Sequence, residues 1–313
     1  MSARARLSVS EIFGLAPLPV RAREAWFAVR GDASVPGTRV GLSSLGILHP
    51  ALSLRTWLGG RRADRRVPIA CLFNRTPTPP EAGWSLLRTQ VCDFRGGDLA
   101  YDSHNGTDFA VPIGTVVVAA APGVVQRVSS EFNRGGLKVF LDHGGGLATT
   151  YNHLGRALVR VGQVVARGEP IALSGYSGID AVVAFPWAVP HVHFNVWLDG
   201  IYVDPFAAPG ETSLWLDGNQ PRPAAPGGHE APPEPDLDPS AMDALFLHNY
   251  YPTRFATRPA FYSRAHERVP RLTLPFRVDE FVGVAFADSA PALSRRQRIE
   301  QKEKAAPQRP KQE

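Results

Sequence analysis

The chain has 313 residues, of which 44% are hydrophobic and 20% are charged, and it carries a formal net charge of +5. This length favours one large domain or two smaller units joined by linkers, and the apolar content is ample for one sizeable core. Residues 295–313 hold seven basic and three acidic side chains, so residues 1–294 are nearly neutral. The basic balance therefore describes a tail, and it argues against a nucleic-acid-binding protein.

Membrane and redox signals are weak in this sequence. No apolar run approaches the roughly 18 residues of a membrane helix, so we expect no transmembrane segment. Glu11, Pro17 and Pro19 interrupt the first residues, which do not match the three regions of a secretory signal. Cys71 and Cys92 lack a CxxC or other metal-binding spacing, and the sequence is compatible with either a disulfide or two free thiols.

Residues 1–87 are expected to form an N-terminal extension, as a small β region or as a cap over a groove. Ala25–Val29 and Val67–Phe73 are candidate strands, because each is a short apolar run between turn-forming residues.

Residues 88–206 are expected to form a mainly β domain built on an antiparallel sheet or sandwich. Short apolar segments, several rich in β-branched residues, alternate here with glycine-rich turns. No segment keeps a helical period of 3.6 residues. The candidate strands are Thr115–Ala121, Val124–Ser129, Leu137–Asp142, Leu147–His153, Leu158–Val161, Pro170–Ser174 and His191–Leu198.

The C-terminal third changes character twice. Residues 207–240 are rich in proline and are predicted to be an extended linker. Residues 241–285 regain aromatic residues, which indicates either a small module or strands that return to the main body. Residues 286–313 form a charged tail that we expect to be disordered.

One strand carries the candidate metal chemistry. On an extended chain His191 and His193 point to the same face, so two imidazoles can converge on one zinc ion. His104 and Asp108 are four residues apart in a turn that leads into a strand, and they also share a face. Together these residues supply two imidazoles and a carboxylate with one imidazole to spare, which is the ligand set of a catalytic zinc with an open water position.

His153 is a further candidate, because Leu147, Thr149, Tyr151 and His153 share one face of their predicted strand. If that face is the metal face, His153 lies in the same groove.

Several motifs occur in the order of a known family. They are His-Asn-Gly-Thr-Asp-Phe-Ala (104–110), Pro-Ile-Gly-Thr (112–115), Tyr-Asn-His-Leu (151–154), Pro-His-Val-His-Phe (190–194) and Val-Asp-Pro (203–205). Residues 88–206 thereby resemble the lysostaphin/LytM-type zinc metallopeptidase domain, which has the duplicated hybrid motif fold. The family cuts peptide cross-links in bacterial peptidoglycan.

The resemblance implies a role for each candidate residue. His104, Asp108 and His193 would bind one zinc ion per chain, while His153 and His191 would remain unliganded and assist catalysis. The protein would then be a zinc metalloendopeptidase whose partners are peptidoglycan peptide stems and cross-links, in the cell envelope, the periplasm or the secreted fraction.

Two departures from the family pattern stand out. Asn195 occupies a position where the family commonly has glutamate, on the same strand face as the ligands. An apolar insert at residues 181–188 lengthens the approach to His191.

Two alternatives remain open at this point. The chain can be a non-catalytic LytM-type regulator of cell-wall hydrolases, or a zinc peptidase that acts on a non-wall peptide.

Overall fold

The computed structural model describes residues 6–31, 36–79, 82–179, 184–225, 230–231, 234–250 and 265–288, with the backbone alone for residues 248–250. The helices are α1 (Val9–Phe13), α2 (Leu18–Arg30), α3 (Pro50–Trp57) and α4 (Pro239–Tyr250), with a 3₁₀ helix at Leu42–Ile47. The strands are β1 (Arg66–Cys71), β2 (Thr107–Ala110), β3 (Val116–Val118), β4 (Gly123–Glu131), β5 (Gly136–Asp142), β6 (Leu147–Ala157), β7 (Val164–Val165), β8 (Pro170–Ser174), β9 (His191–Leu198), β10 (Ile201–Val203) and β11 (Gly283–Phe286).

These strands form one sheet with the order β11-β1-β2-β9-β6-β5-β4-β7. Strand β10 pairs with β9, and β8 joins β3 to β6. Neighbours are antiparallel except β1 and β11, which run parallel. The predicted mainly β, antiparallel fold class is confirmed.

The sheet buries one large apolar core, whose largest members are aromatic, and two smaller clusters. Trp215 stacks on Phe194 of β9 with ring centroids 5.6 Å apart, and Phe276 meets Phe109 of β2 edge-on at 5.6 Å. Leu214, Trp215, Leu272, Leu274 and Phe276 all belong to this core, so parts of the chain beyond residue 206 return to the main body. The boundaries at 88, 206, 240 and 286 stay predictions, and the tail beyond Asp288 lies outside the described residues.

Two strand predictions are wrong. Ala25–Val29 lies within α2, where Pro19 occupies the first turn and Arg21 pairs with Glu24 one turn later. Its alanines and ionic pair support a helix, which overrides the short aromatic run that suggested a strand. Leu158–Val161 forms no strand, and the pairing with β4 comes from Val164–Val165 instead.

Strand register brings distant residues into one row. Cys71 of β1 pairs with Asp108 of β2, Asp108 with His193 of β9, and His193 with Asn152 of β6. Register partners lie on the same face of a sheet, about 5 Å apart at Cβ. Four adjacent strands therefore carry these side chains side by side. Among the described residues, no helix has both the length and the apolar character needed to cross a membrane.

Candidate metal centre and active site

Three donor atoms converge at the centre of this row. Asp108 Oδ1 lies 3.1 Å from His104 Nε2 and 2.7 Å from His193 Nδ1, and the two imidazole nitrogens are 3.2 Å apart. All three residues are at least nine-tenths buried. The residues that the motifs single out as ligands therefore form a compact triangle of two nitrogens and one oxygen.

The triangle fits a zinc ion. Zinc binds imidazole nitrogen and carboxylate oxygen at about 2.0–2.2 Å, so two ligands of a tetrahedral site lie about 3.3–3.6 Å apart. The observed separations are shorter, that between Asp108 Oδ1 and His193 Nδ1 by at least about 0.6 Å, and a bound ion would spread the donors. His104 Nδ1 donates to the carbonyl of Leu72 at 2.6 Å, which leaves Nε2 as the free donor atom.

The charges of the site suit a cation. Burial alone would raise the pKa of Asp108, but the imidazoles of His104, His191 and His193 hold it well below its usual range. Burial lowers the pKa of His193. For His104, the nearby Asp108 outweighs burial and raises the pKa well above the usual value. The lowered pKa of Asp108 favours the ionised carboxylate, which is the form that binds a cation.

His191 and His153 lie beside the triangle. His191 Nε2 is 3.6 Å from Asp108 Oδ1, and the rings of His153 and His191 are 4.6 Å apart at their centroids. His191 Nδ1 donates to the carbonyl of Val189 and His153 Nδ1 to that of Ser177, each at 2.7 Å. In both neutral rings the lone pair is therefore on Nε2.

His153 reaches the groove in a different way from the one that the strand pattern indicates. Thr149 and Tyr151 face the core, where their hydroxyl groups bond each other at 3.1 Å. Thr150 and Asn152 pair with Asn195 and His193 of β9 on the opposite face of the sheet, which carries the donor triangle and forms the floor of the groove. Simple alternation would send His153 into the core. Its φ of +58°, uncommon for a residue other than glycine, turns the chain and directs His153 to the groove side.

Two cavities flank the triangle. A cavity of about 360 Å³ is lined by groups on the α4 side, including Lys138, Trp197 and Phe246, and it contacts His104 and His193. A second cavity of about 350 Å³ contacts His191 and His193 from the other side.

Residues of the N-terminal extension line the second cavity, among them Val29, Val40 and Leu45. Trp84 and Arg134 line both cavities, and the guanidinium carbon of Arg134 lies 4.4 Å above the Trp84 ring. The groove is thus bordered by the extension and crossed by a cation–π contact.

Some residues near the centre had no pattern to reveal them. Cys71 is a free thiol whose sulfur lies within 4.8 Å of donor atoms of both His104 and Asp108. Burial raises the pKa of this thiol. Cys92 is also free, so the two cysteines are not joined. Cys71 reaches the centre because it is the register partner of Asp108. Strand register is not visible in the sequence, so no motif identified Cys71.

The comparison with family models covers the same part of the chain. Residues 102–205 match the model of Peptidase family M23. This segment is an M23 peptidase domain. It contains all five candidate residues, His104, Asp108, His153, His191 and His193.

Relatives of the M23 domain are found among curated proteins and solved structures. An uncharacterized metalloprotease of Haemophilus influenzae is 40% identical over 112 residues, which are 35% of this chain and 22% of that protein. Peptidoglycan DD-endopeptidase ShyA of Vibrio cholerae is 41% identical over 97 residues, which are 31% of this chain and 21% of that protein. The catalytic domain of lysostaphin from Staphylococcus simulans is 29% identical, with a TM-score of 0.30, over 33% of this chain and 77% of that domain. The chain thus spans about a fifth of the length of the two curated relatives.

Proposed function

We propose that this protein is a zinc-dependent endopeptidase that hydrolyses peptide cross-links of bacterial peptidoglycan. The observation that carries the proposal is the triangle of His104 Nε2, Asp108 Oδ1 and His193 Nδ1, with its three separations of 2.7–3.2 Å. Its place within an M23 domain, and the DD-endopeptidase named among the relatives of that domain, support the reaction and the substrate.

His104, Asp108 and His193 would hold the zinc ion. When bound, zinc would polarise the scissile carbonyl and make the attacking water more acidic. The chain's own contribution is to fix the donors before the ion arrives. Two of them stand on neighbouring strands, and the third is oriented by the Leu72 carbonyl.

His191 is the proposed general base. Its Nδ1–H is engaged by the Val189 carbonyl, so the basic Nε2 is oriented, and it lies 3.6 Å from Asp108 at the edge of the donor triangle. From there it can take a proton from water as the water attacks.

His153 is proposed to hydrogen-bond the developing oxyanion or to protonate the leaving amine. Its ring lies 4.6 Å from that of His191 and 6.1 Å from that of His193, so both assisting groups border one small space. The close approach of the two rings supports a shared task, in which the first proton removed is returned to the product.

The proposed substrate implies that the protein acts in the cell envelope, in the periplasm or as a secreted protein, because the cross-links lie there. The N-terminal extension is proposed to limit access to the groove, since Val29, Val40 and Leu45 line a cavity that also contacts His191 and His193.

Digestion of purified sacculi tests the proposal. The full chain should release muropeptides with new amino termini at cross-links, identified by mass spectrometry. Chelation and His193→Ala should each abolish this release. If the zinc-loaded protein leaves sacculi intact but cleaves unrelated peptides, the substrate proposal fails. If it cleaves neither, the peptidase proposal fails and a regulatory role is favoured.

A further inference from the structure

A cluster of three amides lies behind the proposed ligand His193. Asn195 Nδ2 donates to the carbonyl oxygen of Asn105 at 2.8 Å and to its Oδ1 at 3.0 Å. Asn152 Nδ2 donates to Asn195 Oδ1 at 2.7 Å and to the carbonyl of His193 at 2.9 Å. Asn152 and Asn195 are each 4% exposed. The cluster is therefore a closed hydrogen-bond network in which each amide has a fixed orientation.

The network leaves no room for a side chain on the neighbouring loop. A Cβ at Gly106 would lie 2.7 Å from His193 Nε2 and 2.9 Å from Asn195 Nδ2. Glycine at this position lets the Asn105–Gly106 backbone pack directly against the imidazole and the amide.

The amides favour one tautomer of His193 in the metal-free protein. Its Nε2 lies 2.9 Å from Asn195 Nδ2 and 3.2 Å from Asn105 Oδ1. Turning the Asn195 amide over would break its bonds to both Asn152 and Asn105, so its amino group faces Nε2, and one of the two hydrogens is shared between Asn105 Oδ1 and Nε2. An imidazole that accepts this bond carries its proton on Nδ1, where it donates to Asp108 at 2.7 Å.

Zinc binding through Nδ1 requires the other tautomer. The proton must then be on Nε2, which would face the Asn195 N–H donor at 2.9 Å and find an acceptor only in Asn105 Oδ1, at the longer 3.2 Å. A carboxylate at position 195 would reverse this preference, because it accepts from Nε2–H and increases the basicity of the ligand.

We propose that Asn195 is a positioning residue that weakens zinc binding by stabilising the metal-free tautomer of His193, while Asn105 supplies the acceptor of the zinc-bound tautomer. This inference rests on the zinc site proposed above. A zinc centre of this kind would exchange its ion more readily than a centre in which a carboxylate accepts the hydrogen bond of the ligating histidine.

Zinc affinity of the full chain tests the proposal, by competition with a chromophoric chelator. Asn195→Glu should bind zinc about 10–100-fold more tightly than Asn195→Gln, the range expected for a partner of a ligating histidine. The two substituted side chains have the same size, but one ends in a carboxylate and the other in an amide. Any steric disturbance therefore affects both variants alike. Equal affinities would overturn the proposal. A gain in affinity cannot come from structural damage, which only weakens a site.

Asn105→Asp gives a second route if Asn195→Glu does not fold, because it places a carboxylate at the acceptor position without changing size. It should also tighten zinc binding about tenfold or more, and unchanged or weaker binding would count against the proposal. Proton-detected ¹⁵N spectra should show His193 protonated on Nδ1 without zinc and on Nε2 with zinc. Protonation on Nε2 in the metal-free wild type would refute the tautomer argument. Absence of zinc binding in the wild type would instead refute the proposed function.

Discussion

Helix α2 offers a precise way to loosen the N-terminal extension. Arg21 is 9% exposed, and its guanidinium donates to the Ser130 carbonyl at 2.9 Å, to Ser130 Oγ at 2.9 Å and to Glu24 Oε2 at 2.8 Å. Glu24 in turn accepts from the backbone N–H of Phe132 at 2.9 Å. This pair fastens α2 to the end of β4. Arg21→Ala should therefore detach α2 without removing a residue of the groove.

The expected cost follows from the buried ionic contacts. Removing one partner of a largely buried, hydrogen-bonded pair costs about 3 kcal/mol, because the remaining groups lose their compensation. At about 1.4 kcal/mol per tenfold change, the opening equilibrium of α2 should shift about 100-fold. Arg23→Ala is the matched control, since Arg23 is an exposed arginine on the same helix. The control should change opening less than about threefold, as expected for exposed surface residues.

Hydrogen exchange read by mass spectrometry measures this opening directly. Amides of α2 should lose protection by about the same 100-fold in Arg21→Ala, while those of β6 and β9 stay unchanged. If Arg23→Ala loses as much protection, Arg21 is not the anchor. Turnover of a cross-linked muropeptide dimer tests the consequence. It should rise in Arg21→Ala, and unchanged turnover despite lost protection would reject the idea that α2 limits access to the groove.

Deleting the whole extension would be a poorer test. Ser53 of α3 is fully buried, and its hydroxyl group contacts the carbonyls of Pro186 and Ala188 at 2.7 and 2.9 Å. The next residue, Val189, holds His191 through its carbonyl. Truncation would therefore release the cap and disturb the proposed base together, and the two effects on turnover would have opposite signs.

Three further predictions address the centre and its surroundings. His153→Ala and His191→Ala should each retain one zinc by elemental analysis yet lose at least about 100-fold in kcat, as expected for groups that transfer protons; loss of the metal would mean that these residues are ligands. Cys71→Ser should bind cobalt in place of zinc with the same absorption spectrum as the wild type, because Cys71 is not expected to be a ligand. A sulfur-to-cobalt charge-transfer band that is present in the wild type and absent from the variant would reveal a fourth protein donor. That result would contradict the open water position. Burial raises the pKa of Asp142 to about 6, so the folded state binds this proton more tightly than the unfolded state. Stability should therefore fall by up to about 3 kcal/mol as the pH rises from 4 to 7. The free energy of unfolding, measured with urea at each pH, should lack this contribution in Asp142→Asn. If this free energy changes with pH in the same way in both proteins, the prediction is wrong.

Local patterns in the sequence locate the candidate donors but not their neighbours. His193 and Asp108 each follow from short motifs on extended chain, and the structure brings their donor atoms within 2.7 Å. Cys71 carries no such motif, and Asn105 lies within one that does not mark it as a partner of His193, because their proximity depends on strand register and on a close loop approach. The groove-facing position of His153 depends on a backbone conformation that a non-glycine residue seldom adopts.

The same limit explains the errors outside the site. In the short window Ala25–Val29, aromatic and β-branched residues suggest a strand, whereas the helix is decided by the surrounding alanines and by contacts of Arg21 with a strand more than 100 positions away. The packing of Trp215 in the core likewise depends on tertiary contacts, whereas the return of Phe276 is one of the two alternatives that the sequence leaves open for residues 241–285.

The proposed ligands and the assisting histidines have their rings oriented by different parts of the fold, and this separates binding from turnover. Asp108 and His193 stand on paired strands, so their spacing is set by the sheet. The two assisting histidines take their orientation from the carbonyls of Ser177 and Val189. These two residues lie at either end of the segment that contains the apolar insert. We expect a change in the insert to move these carbonyls more than β2 and β9, which are held together by their ladder of hydrogen bonds. Variation there should alter proton transfer and the fit of the substrate while leaving zinc affinity intact, whereas variation at Asn195 should do the reverse.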